Sequence, residues 1–101
     1  MKHLSLDPEM TIQLFQQQVE QVLGISVFVY KKWEIASASD RLAEVGYSSP
    51  GCRICIDTTL TVRDFETWMA DEFHINLELC RDHSRPLTNK CHRLYQIMTV
   101  H

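Results

Sequence analysis

The fold of this chain is decided by a stretch that occurs twice, as HLSLDPEMTIQLFQQQVEQVLGISVFVY (residues 3–30) and as RICIDTTLTVRDFETWMADEFHINLELC (residues 53–80). The two copies align without a gap at an offset of fifty residues, and four of the 28 aligned pairs are identical. Eight further pairs are apolar in both copies. Because the apolar positions recur while the polar positions vary, the pattern predicts one structural unit that is used twice.

Each copy is expected to form a strand, a helix and a second strand. Thr11 and Thr61 are suitable N-cap residues for the two helices. Apolar residues at spacings of three and four then predict a buried stripe along each helix. Gly24 and His74 follow the stripes, and both residue types tolerate a left-handed backbone conformation. We therefore expect the two helices to end at these two residues.

These elements predict a single α+β domain over residues 1–101. Its halves cover residues 1–46 and 52–98, and residues 47–51 form a linker. Each half is a βαβ-type unit, and such a crossover makes its two strands parallel. Together the halves predict a ferredoxin-like sandwich, in which a four- to five-stranded sheet carries the helices on one face.

Shorter elements are expected after the second strand of each half. Residues 33–38 are expected to return as a third strand of a hairpin, and Arg41–Val45 as a short helix that ends at Gly46. In the second half, Thr88 is expected to cap a C-terminal helix that continues to Met98.

Composition favours an ordinary globular protein. Of the 101 residues, 45% are apolar and 23% are charged, which are usual fractions for a folded domain in water. No apolar run approaches the ~20 residues that are needed to cross a bilayer. The first residues contain no apolar segment typical of a secretory signal. We therefore expect a cytoplasmic protein that does not bind membranes.

The charge distribution argues against a nucleic-acid partner. The net charge is −3, but residues 1–80 carry −6 and residues 81–101 carry +3. Phosphate binding needs a broad positive face, whereas most of this chain is acidic. The basic tail is expected to be a solvated surface.

The cysteines and histidines have spacings that occur in zinc sites. Cys52 and Cys55 form a CxxC pair, but on a strand they point to opposite faces, and the parallel arrangement would place Cys52 and Cys80 at opposite ends of the sheet. We therefore assign no metal and no cofactor. The alternative is a metal-binding or nucleic-acid-binding module, whose ligands would be Cys80, His83, Cys91 and His92.

A thiol-dependent enzyme is the second alternative. It would need a nucleophile, a base and an orienting group in one place. The candidates for those three roles are Cys80 or Cys91, His83 or His92, and Asp82. No nucleophile motif surrounds either cysteine, so no catalytic residue is assigned.

The helix–strand units Thr11–Tyr30 and Thr61–Cys80 resemble a family of small uncharacterised bacterial α+β proteins with helix–strand repeats. In that family a helix stops at a glycine-type residue and leads into a strand that ends in an aromatic residue. The resemblance implies an α+β fold and implies no activity. His74 and the short hairpin after Tyr30 depart from the family's pattern.

Aromatic residues are the candidates for binding a partner. The second strand of the first copy is apolar on both faces, so Phe28 and Tyr30 are expected to be covered by the chain itself or by an interface. Trp33 and Trp68 are further candidates, because tryptophan and tyrosine carry much of the binding energy at interface centres. We therefore expect a non-enzymatic interaction or regulatory module that binds a protein partner or itself, as a homodimer.

Overall fold

The structure is of the α+β class, as the sequence predicted. It is a computed structural model and describes residues 2–82, 85–86 and 89–98. The described residues form six strands and four helices. In chain order they are β1 (Lys2–Leu6), α1 (Ile12–Leu23), β2 (Ser26–Lys31), β3 (Glu34–Ile35), α2 (Leu42–Val45), β4 (Cys52–Ile56), α3 (Val62–Phe73), β5 (Leu77–Asp82), β6 (Arg85–Pro86) and α4 (Leu94–Ile97).

The two long helices begin and end at the predicted residues. The hydroxyl oxygens of Thr11 and Thr61 each accept a hydrogen bond from the backbone N–H three residues further on. This bond satisfies one of the N–H groups that a helix start leaves without a partner. Gly24 and His74 follow the helices with φ angles of 68° and 56°. Local sequence signals alone are therefore enough to delimit α1 and α3.

The predicted apolar stripes are confirmed on both long helices. Most of their members are fully buried and join one core with the strands. The buried helix residues are Ile12, Phe15, Val19, Leu23, Val62, Phe65 and Met69. Val22 and Phe73 are partly buried and pack against this core. The core therefore draws on both copies of the repeated stretch.

The strands pair between the two halves of the chain and not within them. β1 pairs with β4 in a two-stranded sheet, and the other strands follow the order β3-β2-β5-β6 in a second sheet. Each of these pairs is antiparallel. The described strands therefore form two sheets and not one, and a ferredoxin-like sandwich is not confirmed. The expectation that β1 and β2 are parallel strands of one sheet was wrong, because they lie in different sheets.

Pairing between the halves has a physical reason. Half of such a chain has too little apolar surface to enclose a core by itself, so repeated units bury their apolar faces against each other. Here α1 contacts both β1 and β2, which belong to different sheets. The helix therefore packs across the two sheets.

The short helices are tied to the turns that precede the long helices. The Leu42 N–H donates to the Met10 carbonyl at 2.9 Å, and the Leu94 N–H donates to the Leu60 carbonyl at 2.8 Å. The prediction of a long C-terminal helix was wrong, because α4 begins only at Leu94 and residues 89–93 are not helical. Thr88, its predicted cap, lies outside the described residues.

Tyr47 is a core residue, although it begins the predicted linker. Its side chain is fully buried. The hydroxyl donates to the Pro50 carbonyl at 2.7 Å and lies 3.3 Å from the Cys52 sulfur. Burial and the neighbouring Cys52 raise the pKa of Tyr47 to about 12, so the buried phenol stays neutral. The segment that joins the halves is thus anchored at its first residue.

Candidate interaction surface

Two of the four aromatic residues predicted to bind a partner are half-buried on β2. Phe28 lies opposite Glu78 in the antiparallel pair with β5. The Tyr30 hydroxyl donates to the Glu78 carboxylate at 2.8 Å. Burial, together with this hydrogen bond, raises the pKa of Tyr30 to about 12. Tyr30 is therefore a neutral hydrogen-bond donor to another residue of the same chain.

That hydrogen bond belongs to a half-buried ionic network. Lys90 Nζ lies 2.8 Å from a Glu66 carboxylate oxygen and 3.1 Å from a Glu78 oxygen. The hydrogen bond from Tyr30, followed by those from Lys90, lowers the pKa of Glu78. Burial opposes the charge of Lys90, but its two carboxylate partners raise its pKa overall. The second Glu66 oxygen accepts the Leu79 N–H at 2.9 Å, so the network ties α3 to β5.

Trp33 is the most exposed of the predicted aromatic residues. Lys31 pairs with Glu34, and Lys32 and Trp33 form the two-residue turn between β2 and β3. The Trp33 side chain is 97% exposed, and Ile35 beyond it is 56% exposed. Lys32 has a φ of 58°, a conformation that hairpin turns of this length require. The predicted third strand is thus present in shortened form, and its turn carries a solvent-exposed indole.

Trp68 packs within its own helix and is half-buried. Its ring centroid lies 6.3 Å from that of Phe65 and 5.3 Å from that of Phe73, with an edge-on arrangement to Phe73. Trp68 occupies the α3 position that Gln18 occupies in α1, fifty residues earlier. Of these two side chains, Gln18 bonds to the backbone of the β1–β4 sheet.

Gln18 covers the outer edge of β1 at Ser5. Its side-chain oxygen accepts the Ser5 N–H at 2.5 Å, and its amide nitrogen donates to the Ser5 carbonyl at 2.9 Å. The side chain thus replaces a neighbouring strand at this residue. Edge strands present unpaired N–H and C=O groups that can pair with another chain, and here one such pair is satisfied internally.

The outer edge of β4 has no comparable hydrogen bonds to a described side chain. Ser5 bonds outward to Gln18, and directly opposed residues of an antiparallel pair face the same way relative to the ladder. Arg53, opposite Ser5, therefore turns its backbone N–H and C=O away from β1, and so does Cys55 two residues later. Among the described residues, no group donates to or accepts from these outward backbone atoms.

None of the four cysteines, all of which lie in the described part of the chain, forms a disulfide. Cys80 is buried, whereas Cys52, Cys55 and Cys91 are exposed. β4 and β5 lie in different sheets, so the parallel arrangement that was expected to separate Cys52 from Cys80 does not occur.

The alternative metal site lies partly outside the described residues. His83 is not described, so its relation to Cys80, Cys91 and His92 stays a prediction. Over residues 2–82, 85–86 and 89–98, no group of three or more cysteine, histidine or acidic side chains is placed to hold a metal ion. Asp82 ends β5, and the second alternative, the thiol enzyme, also stays a prediction.

The fold and this surface together define a small α+β protein with a two-stranded sheet whose edges differ. A side-chain amide bonds the Ser5 backbone at one edge, and the outward backbone groups of Arg53 and Cys55 at the other edge have no hydrogen-bond partner among the described residues. No protein-family model, curated protein or solved structure matches this chain. No helix in the described part of the chain is long and apolar enough to span a membrane.

Sequence reasoning missed the edge of β4, although one signal for it is visible in the alignment. Gln18 and Trp68 form one of the helix pairs that differ in chemical character, as the pairs Leu14/Asp64 and Val22/Glu72 also do. An amide can replace a strand's hydrogen-bonding partner because it holds a donor and an acceptor, whereas an indole holds a donor only. Recognising this signal also requires the pairing of β1 with β4, which the alignment alone does not reveal.

Proposed function

We propose that this protein is a small non-enzymatic interaction module that self-associates as a homodimer through the outer edge of β4. The observation that carries the proposal is the unequal treatment of the two edges of one sheet. Gln18 satisfies the Ser5 backbone on the β1 edge. The matching backbone groups of Arg53 and Cys55 on the β4 edge lack such a partner among the described residues.

Strand addition suits this edge on physical grounds. A two-stranded sheet is the least stable kind of sheet, and an added strand supplies hydrogen-bond partners to a whole row of backbone groups. Pairing of β4 with β4 of a second copy produces a four-stranded sheet whose outer edges are both β1. At each outer edge Gln18 occupies the Ser5 backbone groups, which disfavours the addition of a further strand.

The polar groups of the described chain support an interaction role more than a catalytic one. Tyr30, Glu78, Lys90 and Glu66 bond to one another and to the backbone of β5. The altered pKa values of Tyr30, Glu78 and Lys90 are accounted for by these mutual bonds and by burial. Structural ion-pair networks are a known source of such shifts.

The test is a variant that blocks the edge and preserves the fold. Cys55→Pro removes an N–H that points away from β1, and proline is tolerated on edge strands where the N–H faces solvent. We expect wild type to be a dimer by size-exclusion chromatography with light scattering. Losing one hydrogen bond per copy, at about 1 kcal/mol each, weakens the dimer by roughly 30-fold.

Two control variants make the result specific. Cys55→Ser keeps the backbone N–H, and we expect its dimer to match that of wild type. Trp33→Ser removes the most exposed aromatic side chain of the chain's other sheet and is expected to leave the dimer unchanged. A wild-type monomer at high concentration rejects the proposal, and loss of the dimer in Trp33→Ser but not in Cys55→Pro moves the interface to the hairpin.

A further inference from the structure

The register of the proposed dimer follows from the residues along the open edge, and this inference rests on the proposed self-association. We infer that β4 pairs antiparallel with β4 of a second copy about a two-fold axis at Cys55. In this register Arg53 of each copy lies opposite Asp57 of the other copy. The two Cys55 residues lie opposite each other at the centre.

Alternation along β4 limits the possible registers. Arg53 and Cys55 are exposed and lie on one face of the sheet, and Asp57, the residue directly after β4, is exposed as well. The backbones of Arg53 and Cys55 face the open side. A symmetric antiparallel pair can therefore oppose Arg53 to itself, to Cys55 or, beyond the end of the strand, to Asp57 or Thr59.

Charge selects among these registers. Opposite charges directly across an antiparallel pair attract, and like charges in that position repel. Opposing Arg53 to itself brings two guanidinium groups together. Opposing it to Cys55 or Thr59 leaves the guanidinium groups of both copies without an oppositely charged partner. Opposing Arg53 to Asp57 forms two charge pairs, one on each side of the two-fold axis.

Both charges are available for this contact. Arg53 forms no ion pair within the described part of the chain. One Asp57 oxygen accepts the Thr59 hydroxyl at 2.5 Å and the Thr59 N–H at 2.9 Å. These two bonds, with a smaller contribution from the charge of Arg93, lower the pKa of Asp57. The other Asp57 oxygen accepts no hydrogen bond from a described residue.

The same register places two thiols within reach of each other. Residues that exchange both backbone hydrogen bonds across an antiparallel pair have Cα atoms about 5.5 Å apart, which lies within the range that a disulfide spans. Hydrogen peroxide can therefore link the two Cys55 thiols. The thiols give up two electrons and two protons, one S–S bond forms, and the peroxide is reduced to two water molecules.

The first test is charge reversal, measured by sedimentation equilibrium. Arg53→Asp replaces two attractions by two repulsions and is expected to weaken the dimer by about tenfold or more. The double variant Arg53→Asp/Asp57→Arg restores opposite charges and is expected to recover the dimer. Circular dichroism checks the fold, because Asp57 also holds the turn at Thr59.

The second test does not depend on those variants folding. Cys52→Ser/Cys91→Ser keeps Cys55 and the buried Cys80, and we expect peroxide to convert it to a covalent dimer. Cys55→Ser/Cys91→Ser keeps Cys52 in place of Cys55, and we expect it to stay uncrosslinked under the same conditions.

The outcomes separate the register from the proposed function. A wild-type dimer with charge rescue and a Cys55-specific link supports both. A wild-type dimer that neither responds to charge reversal nor links through Cys55 overturns the register and leaves self-association standing. A wild-type monomer overturns both.

Discussion

Gly46→Ala is expected to destabilise the protein by about 3–5 kcal/mol, because it combines backbone strain with a steric clash. Gly46 has a φ of 127°, which side-chain-bearing residues rarely adopt, and an added Cβ would lie 2.6 Å from the His74 carbonyl oxygen. That oxygen has little freedom to move, because the His74 N–H is bonded to the end of α3. Urea unfolding measures the loss as a change in the free energy of unfolding.

Gly51→Ala is the matched control for this substitution. Its added Cβ would lie 3.0 Å from a carboxylate oxygen of Asp7, which is a side chain that can rotate away. We expect a loss below about 1 kcal/mol, as for a surface substitution without backbone strain. Equal losses in the two variants would contradict the proposed strain at Gly46.

Tyr47→Ala is expected to cost about 3–5 kcal/mol, the usual loss when a large buried aromatic side chain is removed. Tyr47 is among the largest fully buried side chains of the protein, and no neighbour can refill its volume without moving. Tyr47→Phe keeps the ring and loses the hydroxyl's bond to the Pro50 carbonyl and its weaker contact with the Cys52 sulfur, so its expected cost is about 1 kcal/mol. Thermal or urea unfolding of both variants separates packing from hydrogen bonding.

Tyr95→Ala provides the comparison at an exposed position. The Tyr95 side chain is 55% exposed, so its removal is expected to change stability by less than about 1 kcal/mol. If Tyr47→Ala cost no more than Tyr95→Ala, the segment at residues 47–51 would behave only as the linker that the sequence predicted, and not as part of the core.

The helices were predictable because their signals are local. A threonine cap, an apolar stripe and a residue that tolerates positive φ all lie within one short window of sequence. Thr61 and His74 mark the ends of α3 without any knowledge of the rest of the chain. The short α4 was mispredicted because apolar residues at helical spacing also occur in a segment whose backbone bonds elsewhere, such as the bond from the Arg63 N–H to the Lys90 carbonyl.

Strand pairing was not predictable in the same way. The partner of Leu4 is Ile54, fifty residues away, and both strands carry the same alternating pattern. That pattern identifies the buried face of a strand but not its neighbour. A parallel βαβ unit and an antiparallel exchange between halves satisfy it equally well, so the sheet arrangement depended on long-range contacts.

The candidate surface was predictable only in part. Trp33 was correctly expected to follow β2 in a hairpin, but it was placed in the third strand, whereas the structure has it in the turn with its side chain exposed. Tyr30 was harder to place, since its hydroxyl partner Glu78 lies in the other half of the chain. The hydrogen bonds between Gln18 and the Ser5 backbone depend on the position of a helix beside a strand edge, which no local pattern encodes.

Amide hydrogen exchange of Cys55, measured by nuclear magnetic resonance over a range of protein concentrations, tests the central claim most directly. Self-association through β4 predicts that the Cys55 amide exchanges fast in dilute samples and becomes protected as the concentration rises. The Ser5 amide, which is bonded to Gln18, is expected to show the same protection at every concentration. A Cys55 amide that exchanges equally fast at all concentrations, in samples where Ser5 is protected, would contradict the account.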